Sequence, residues 1–466
     1  MPETTVTGVA AGLRVAVIGG GLAGMTAALD AVDAGAEVTL LERQARLGGR
    51  TWSFEHNGLT FDNGQHVFMR CCTSYRAFVE RIGGAGLVTL QPRLDVPVLS
   101  PGRRPGRIAR TGLPAPLHLA GALARYRPLA PAARVRAVLA ARRLGSVDPD
   151  DRANDLVSFG SWLAEHGQDE RATAALWDLV GRPTLNLPAA DASLALAAKV
   201  FRTGLLDRAD AGDLGWSDVP LGVLHGDVAA AALAGRGVEV VTSTRVSEVA
   251  GGADGFVVRT AEGPAWDVDA VVVAVTHRSV TGLLAPSLRP TGWVGDRDPA
   301  GLGSSPIVNV HVVYDRRVTD HAFFAAVDSP AQFVFDRTRA AGLEGGGQYL
   351  AISLSAADEQ LATSADELVA TMSAALGELL PAASRARVVD GRVTRERHAT
   401  FRGVPGSAGH RAAAASGMPG LAFAGAWTDT GWPDTMEGAV RSGHAAASVA
   451  LSARATPDRR VDALPT

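Results

Sequence analysis

The chain has 466 residues, more than one ordinary hydrophobic core accommodates, so we expect two domains or one domain interrupted by another. A formal net charge of −3 and a charged content of 20% are typical of a soluble globular enzyme and exclude a general bias toward nucleic acid. Residues 1–14 lack the apolar segment of a secretory signal, and no stretch has the roughly 18 uninterrupted apolar residues that span a bilayer. We therefore expect a cytoplasmic protein that does not cross the membrane.

Residues 14–43 have the pattern of a strand, a glycine-rich turn, a helix and a second strand. The helix is predicted from Leu22 to Ala34, and the second strand closes on Glu42. At the end of this strand a carboxylate accepts hydrogen bonds from an adenosine ribose.

The turn between the first strand and the helix fits G-x-G-x-x-G. The residues expected at a diphosphate are Gly19, Gly21, Leu22, Ala23 and Gly24. Gly19 forms the turn, Gly21 lets the diphosphate approach the backbone, and Gly24 lets the helix pack on the strand. A glycine-rich turn without a ligand is the alternative, and the complete strand–helix–strand context favours the nucleotide site.

A second glycine pair follows in "RQARLGGR", where Gly48 and Gly49 stand between the cations Arg43 and Arg50. The first fingerprint leaves FAD and NAD open, and two successive anion sites favour FAD. This combination resembles the flavin amine oxidase and phytoene desaturase superfamily, in which FAD lies extended along its domain.

Two later segments return with strands of the same kind, which indicates a domain assembled from separated pieces. Residues 237–277 end in a predicted buried strand, 269–275, and residues 420–451 begin with "LAFAG". The resemblance implies that Val246 packs on adenine, whereas by itself Val246 is equally consistent with core filling.

A helix is predicted to begin near Asp434 or Thr435, either of which can cap it. Its positive end suits the N1 end of a reduced flavin. The residues expected around that end of the cofactor are Gly425, Ala426, Pro433 and Met436. A simple packing helix explains its small residues but not the Trp-Pro turn before it.

The order of "DNGQH", "LWDLVGRPTLNLP", "DLGWSDVPLGVL" and "TDTGWPDTMEGAVRSG" narrows the resemblance to the squalene-associated FAD-dependent desaturases, the hydroxysqualene dehydroxylases. It covers residues 13–451. One departure concerns the ribityl contact, because many superfamily members have an aspartate where this chain has Ala426. Asp429 or a backbone group is expected to replace it.

In the superfamily the turn that matches "FDNGQHVF" runs beside the isoalloxazine ring. Gly64 permits that approach, and Gln65 and His66 would then face the flavin and the substrate. His66 is the first candidate proton donor and Asp434 the second catalytic candidate, while a structural histidine that holds the turn is the alternative for His66. Cys71 and Cys72 are interpreted as reduced packing residues, and no metal site is expected.

The resemblance implies that hydroxysqualene loses its allylic hydroxyl and accepts a hydride from reduced FAD, which gives squalene. Protonation of the leaving oxygen, a dry cavity and aromatic faces for the cation would all be required. The available aromatic side chains are Trp177, Trp216, Trp432 and Phe201, each of which is equally consistent with a core position. Since the sequence contains no second glycine fingerprint of a reductase, we expect an external electron donor.

The expected fold class is α/β, with a Rossmann-like FAD domain built from discontinuous segments and a mixed α+β substrate domain. We assign 1–100, 215–285 and 400–455 to the FAD domain, 101–214 and 286–399 to the substrate domain, and 456–466 to a C-terminal tail. Helices interrupted at Pro183 and Pro188 are predicted in the first substrate segment, and strands with one helix, 364–380, in the second.

No acidic residue occurs between Asp95 and Asp148, whereas this interval contains Arg103, Arg104, Arg107, Arg110, Arg125, Arg127, Arg134, Arg136, Arg142 and Arg143. Leucine and valine side chains lie among these arginines. The pattern indicates an amphipathic segment that binds the anionic inner face of the cell membrane, from which a triterpene would arrive. A solvated arginine face in an arginine-rich protein is the alternative.

Two other functions are consistent with the sequence. A carotenoid or squalene desaturase would have a similar cavity, whereas an amine oxidase is disfavoured because the single lysine, Lys199, lies in the helical insertion and matches no flavin-site motif. A membrane-surface lipid- or nucleotide-binding protein without catalysis is the alternative of a different class, and such a protein would contain no flavin.

Overall fold

The structure is a computed structural model that describes residues 10–252, 254–261, 263–293 and 298–452, so the expected tail 456–466 lies outside the described residues. The strands are β1 (Arg14–Ile18), β2 (Glu37–Leu41), β3 (Ser53–His56), β4 (Leu59–Asp62), β5 (Val67–Met69), β6 (Val88–Leu90), β7 (Asp95–Leu99), β8 (Gly106–Ala109), β9 (Leu214–Ser217), β10 (Glu239–Val241), β11 (Val246–Gly252), β12 (Gly255–Thr260), β13 (Ala265–Val268), β14 (Ala270–Val273), β15 (Ser305–Tyr314), β16 (Phe323–Ala326), β17 (Phe333–Asp336), β18 (Gln348–Ser355), β19 (Val388–Thr400) and β20 (Leu421–Phe423). The α-helices are α1 (Leu22–Asp33), α2 (Thr73–Arg81), α3 (Ala120–Ala124), α4 (Pro131–Leu144), α5 (Arg152–Asp155), α6 (Phe159–Glu165), α7 (Glu170–Ala172), α8 (Asp178–Leu185), α9 (Leu194–Phe201), α10 (Ala229–Ala234), α11 (His277–Leu283), α12 (Ala365–Leu379) and α13 (Met436–Leu451).

Strands from distant parts of the chain form one parallel sheet in the order β10-β2-β1-β14-β20. Val17 of β1 pairs with Leu40 of β2 on one side and with Val272 of β14 on the other. These central strands are almost entirely apolar and buried, as expected for a parallel sheet covered on both faces. The predicted α/β fold with a Rossmann-like sheet assembled from separated segments is confirmed.

Helices α1 and α13 pack against each other closely enough to require glycine at Gly443. A Cβ atom there would lie 2.4 Å from the carbonyl oxygen of Ala23 and 2.7 Å from Cβ of Thr26. Ser442, one residue earlier, accepts a hydrogen bond from the backbone N–H of Gly425 at 2.8 Å. The late helix is therefore joined both to the first helix and to the end of β20.

A second, mixed sheet has the order β19-β15-β18-β17-β16-β7-β8, and α12 packs against it. β18 coincides with the predicted strand "QYLAISLS", and Ser364 caps α12 by accepting a hydrogen bond from Glu367 N–H. β7 precedes the boundary that we expect at residue 100, yet it hydrogen-bonds to β16 of this sheet. The domain boundaries therefore remain proposals, and β7 belongs structurally to the second sheet.

The region between β8 and β9 is helical, as predicted, but one expected helix break is wrong. Pro183 lies inside α8, where its missing N–H costs the short helix one hydrogen bond rather than ending it. The helix ends at Leu185 and is followed by Asn186, which has a left-handed φ of 52° and precedes Pro188. In the part of the chain that the structure describes, no helix is both long and apolar enough to cross a bilayer.

Candidate active site

The glycine-rich turn after β1 is held by contacts that exclude side chains. Gly19 has a φ of +112°, and a Cβ atom there would lie 2.5 Å from the carbonyl oxygen of Ala274. A Cβ atom at Gly24 would lie 1.9 Å from the carbonyl oxygen of Gly19. The turn therefore brings the start of α1 directly against the carboxyl ends of β1 and β14, where ligands bind in open α/β sheets.

The two glycine segments lie against each other. Gly48 N–H donates to the carbonyl oxygen of Gly20 at 2.9 Å, and a Cβ atom at Gly49 would lie 2.9 Å from Cα of Gly21. No side chain caps α1 at Gly21, so its first-turn N–H groups are left for an anionic ligand. The exposed Arg43 adds a cation nearby in sequence. These residues fit the diphosphate of FAD.

Glu42 stands beside the turn at the end of β2 and is buried. Its two carboxylate oxygens accept hydrogen bonds from the backbone N–H groups of Gly20 at 2.7 Å and Gln44 at 2.8 Å. The Glu42 carbonyl oxygen accepts from Thr244 N–H at 2.8 Å, which brings the start of β11 and the buried Val246 to this side of the sheet. Ribose binding by Glu42 and adenine contact by Val246 stay predictions.

Arg50 connects the early polar loop to the start of α13. The loop follows the β3–β4 hairpin, and Asn63 donates to the Arg50 carbonyl oxygen at 2.9 Å. The Arg50 guanidinium pairs with Asp434 at 3.2 Å. Gly64, the next loop residue, lies so close to the amide of Asn309 that a Cβ atom would come within 3.0 Å of Nδ2. The two elements that we expect around the flavin ring are therefore neighbours.

Asp434 has structural partners on two sides. One carboxylate oxygen accepts both from Arg50 and from the backbone N–H of Phe401, the latter at 2.7 Å. Of the two residues predicted to cap α13, Thr435 is the cap, since its hydroxyl accepts from Gly438 N–H at 3.1 Å. The catalytic role predicted for Asp434 stays a prediction, and its observed contacts are those of a residue that positions others.

A second link joins the start of α2 to α13 through the buried Glu437. Its carboxylate accepts hydrogen bonds from the N–H groups of Tyr75 at 2.8 Å and Ser74 at 3.3 Å, at the start of α2, and pairs with Arg441 at 2.6 Å. Cys72, just before α2, is part of the buried apolar core, as a packing cysteine should be.

Gln65 and His66 line a small cavity together with the aromatic side chains of Trp216 and Phe335. Gln65 Nε2 is buried and has no hydrogen-bond partner among the described residues. A buried amide without a partner is costly, and a polar group of a bound molecule that accepted its hydrogen bond would remove that cost. Gln65 and His66 thus line one cavity, and their expected positions beside a flavin and a substrate stay predictions.

Burial lowers the pKa of His66 to about 4, so its imidazole is neutral at cellular pH. His225, whose pKa burial lowers to about 3 with a smaller contribution from His66, lies behind it and shares a hydrogen bond of 2.9 Å with the Tyr75 hydroxyl. Neutral His66 can exchange hydrogen bonds, but it can protonate a substrate only after its pKa has risen.

The lining of the cavity also includes a buried ion pair that the sequence does not reveal. Arg337 pairs with Asp62 at 3.0 Å and donates to the carbonyl oxygens of Ser217 and Val219. Burial raises the pKa of Asp62, and Arg337 opposes that shift. The Asp62 carboxylate also accepts from Leu221 N–H at 2.8 Å, so the pair fixes the cavity wall across distant segments.

The other aromatic candidates lie elsewhere. Trp177 and Phe201 pack on each other in the apolar core with ring centroids 5.3 Å apart. Trp432, next to the start of α13, lies under two cations, with Lys199 Nζ 5.5 Å and Arg441 Cζ 5.1 Å from its ring. The single lysine is therefore closer to the expected flavin end than its position in a helical insertion suggests.

The loop that leads from β20 to α13 is organised by Arg411, which sequence reasoning missed. Its buried guanidinium donates to the carbonyl oxygens of Ala426 at 3.2 Å, Thr428 at 2.6 Å and Trp432 at 2.7 Å. Asp429 instead pairs with Arg152 at 3.1 Å, and both side chains are substantially exposed. A backbone group is therefore the better candidate to replace the aspartate that is absent at Ala426.

His277, the first residue of α11, which follows β14, is a further buried group near this loop. Burial lowers its pKa to about 4, while Arg50 lowers it further and Asp434 opposes the shift, which makes the three side chains neighbours. A histidine in the short loop-to-helix segment that follows a buried parallel strand is the sequence signal that would have identified this position.

Two adjoining glycine segments at the strand ends and two later segments that meet them define a nucleotide-dependent oxidoreductase of the discontinuous Rossmann type. Residues 22–451 match the model of flavin containing amine oxidoreductases, and the chain belongs to this family. It is therefore an FAD-dependent oxidoreductase, and the cofactor expected from the sequence is confirmed.

Relatives with full-length similarity carry two kinds of names. The chain is 26% identical over 455 residues to a hydroxysqualene dehydroxylase of Zymomonas mobilis, with 94% of this chain and 98% of the relative covered. A hydroxysqualene dehydroxylase of Rhodopseudomonas palustris is 26% identical with the same coverage. A zeta-carotene desaturase of Synechocystis is 25% identical over 95% of this chain and 98% of its own length.

Solved structures agree in fold. A putrescine oxidase bound to putrescine superposes with a TM-score of 0.70 at 18% identity, covering 94% of this chain and 98% of that one. Cyclohexylamine oxidase from Brevibacterium oxydans has a TM-score of 0.67 at 18% identity over 94% and 99%. The family match over residues 22–451 confirms the resemblance to the flavin amine oxidase superfamily that was drawn from the sequence motifs, and these structures agree with it in fold.

Proposed function

We propose that the chain converts hydroxysqualene to squalene by replacing the allylic hydroxyl with hydride. The geometric observation that supports this most directly is the cavity in which Gln65 and His66 face Trp216 and Phe335. It combines hydrogen-bonding groups for a hydroxyl with aromatic faces for a hydrocarbon. Similarity to hydroxysqualene dehydroxylases over nearly the whole chain supports the same assignment.

Desaturation of a long polyene is the second candidate, because the similarity to a zeta-carotene desaturase has nearly the same identity and coverage. Both reactions use a long isoprenoid and a dry cavity. They differ in direction, since dehydroxylation consumes reduced flavin and desaturation consumes oxidised flavin.

The chain would hold FAD along the two glycine segments, with the diphosphate at Gly21 and Gly49 and the ring between Gly64 and the start of α13. Arg50 would orient that region, because its carbonyl oxygen and guanidinium bind the loop and Asp434 respectively. Bound FAD supplies hydride transfer in its reduced form. The remaining chemistry is that of the protein side chains.

Departure of the hydroxyl requires a proton, because hydroxide is a poor leaving group. His66 is our candidate donor at its imidazole nitrogen. In the structure it is neutral, and an anionic group in the cavity would raise its pKa toward the range in which it carries that proton. Trp216 and Phe335 would stabilise the allylic cation through their ring faces, at about 0.5–2 kcal/mol per contact.

We also propose that the protein works in the cytoplasm at the inner face of the cell membrane and receives electrons from a separate donor. A long isoprenoid dissolves in lipid and not in water, so access to substrate requires contact with a bilayer.

The experiment is anaerobic incubation of chemically reduced holoenzyme with hydroxysqualene, followed by product analysis. Squalene formed in proportion to flavin oxidised supports the proposal. If no squalene forms while the oxidised enzyme introduces double bonds into a polyene, the second candidate replaces it. His66→Gln should lower turnover most at low pH, where His66 of the wild type carries the proton it donates, and the two enzymes should converge at high pH. Cys71→Ser, a change outside the cavity, serves as the control.

A further inference from the structure

An exposed apolar surface lies on the arginine-rich segment 113–143, which we call the arginine face. Most helices bury their larger apolar side chains, but α4 does the reverse. Its inner face consists mainly of alanines, with Ala133, Ala137 and Ala140 buried. Its outer face presents Val135, Val138 and Leu139, which are 61%, 49% and 55% exposed.

These three side chains form one strip because they follow the i, i+3, i+4 spacing of a helix face. Leu113 and Leu117, just before α3, are also more than half exposed, and α3 packs against both α4 and β8. In the described part of the chain, the other strongly exposed large apolar side chains are dispersed, at Val67, Leu156 and Val389. The arginine face is thus a concentrated apolar patch.

Charge distinguishes this patch from an ordinary protein contact surface. The arginine face contains six arginines, and of these Arg136 is paired with an acid, Asp169. The other five have no carboxylate within 4.0 Å among the described residues. Exposed Arg142 and Arg143 follow the apolar strip directly at the end of α4. Apolar side chains flanked by unpaired cations complement a bilayer with anionic headgroups.

The arginine face and the cavity at His66 share one apolar core. The core beneath it contains Ala133 of α4 and continues through Phe323 to Phe335. Phe323 contacts Trp216 edge to face with centroids 5.4 Å apart, and Trp216 and Phe335 line the cavity at His66. A continuous apolar layer therefore connects this surface with the proposed reaction site.

We propose that the arginine face docks on an anionic lipid bilayer, with Val135, Val138 and Leu139 inserted among the headgroups and Arg142 and Arg143 on lipid phosphates. As a route for a membrane-dissolved isoprenoid, this inference rests on the proposed function. As a binding surface, it is independent of turnover and is tested without substrate.

The experiment measures co-sedimentation of the FAD-loaded protein with vesicles of phosphatidylcholine alone or with added phosphatidylglycerol, at roughly 0.1 M and 0.5 M salt. One variant carries Val135→Ser and Leu139→Ser, and another carries Arg142→Glu and Arg143→Glu. The control combines Val389→Ser with Arg385→Glu, the same chemical changes at β19 and just before it, on the opposite edge of the second sheet.

Wild type and control should bind the anionic vesicles alike, and each arginine-face variant should bind at least tenfold more weakly with an unchanged flavin spectrum. Equal binding by variants and wild type, or equal binding to neutral and anionic vesicles, would overturn the proposal. A dimer that dissociates on Val135→Ser/Leu139→Ser would instead assign the face to self-association. Vesicle binding without squalene formation would leave docking intact and reject the proposed reaction.

Discussion

Replacing Gly443 by alanine tests whether the contact between α1 and α13 positions the cofactor site. The added Cβ would lie 2.4 Å from the Ala23 carbonyl oxygen, whereas ordinary contact begins near 3.4 Å. The helices must therefore separate by about 1 Å or accept the clash. Because α1 begins at the diphosphate turn and α13 at the expected flavin end, separation at Gly443 should disturb both.

The magnitude follows from two opposing effects. Overpacking of a close contact costs about 1–3 kcal/mol. Replacement of glycine by alanine within a helix contributes about 0.5–1 kcal/mol in the other direction. Gly443→Ala should therefore lower the free energy of unfolding by about 0–2.5 kcal/mol. Gly282→Ala in α11 is the matched control, because its Cβ would meet nothing within 4 Å, and it should be stabilising.

The assay is urea unfolding of both variants in the apo form, together with titration of each apo-protein with FAD. Gly443→Ala should be about 1–3 kcal/mol less stable than Gly282→Ala and should bind FAD at least tenfold more weakly. If the two variants agree in stability within about 0.5 kcal/mol and bind FAD equally, the helix contact does not position the cofactor site.

Three further outcomes follow from buried charges. Asp62→Asn leaves the Arg337 guanidinium buried without its carboxylate and should lower the free energy of unfolding by urea by about 3–5 kcal/mol. Adding Arg337→Met should recover part of that loss. An Asp62→Asn variant as stable as the wild type would contradict this. Arg411→Met removes the side chain that donates to three loop carbonyl oxygens and should weaken FAD binding at least tenfold in a fluorescence titration. Arg411→Lys keeps the charge and should weaken binding less. Equal FAD affinities of the two variants and the wild type would refute the role of Arg411 in organising the loop. Burial lowers the pKa of His225 and of His311 to about 3. Between pH values of about 6.5 and 3, these two histidines are therefore protonated in the unfolded chain but not in the folded protein. The free energy of unfolding should fall as the pH falls through this range, by up to about 1.4 kcal/mol per pH unit for each histidine. His225→Gln should flatten that slope, and an unchanged slope would reject the assignment.

The predictable parts of this molecule are those encoded by short-range pattern. The first strand, turn and helix are determined by apolar spacing and three glycines, and β18 coincides with its predicted strand because alternation and β-branched residues suffice to specify it. The arrangement of the site was less accessible. Asp62 and Arg337 are far apart in sequence, and among so many arginines neither sequence spacing nor residue type distinguishes Arg337 or Arg411 as buried.

Local rules also leave choices that only tertiary contacts decide. Asp434 and Thr435 are equally good helix caps by residue type, and Thr435 takes the role because the Asp434 carboxylate is bound by Arg50 and Phe401. Pro183 is tolerated within α8 although proline normally ends a helix. The choice of helix cap and the tolerance of a proline depend on which segments of the chain pack together, and the pattern of a single sequence does not reveal that packing.

The contact between α1 and α13 has a consequence for biosynthesis. About 400 residues separate the two helices along the chain, so at a ribosomal rate of about 5–20 residues per second the first helix waits roughly 20–80 s for its neighbour. Flavin acquisition should therefore be a late event that follows emergence of α13. A nascent chain stalled before that helix should carry no yellow chromophore and should expose the surface of α1 to chaperones.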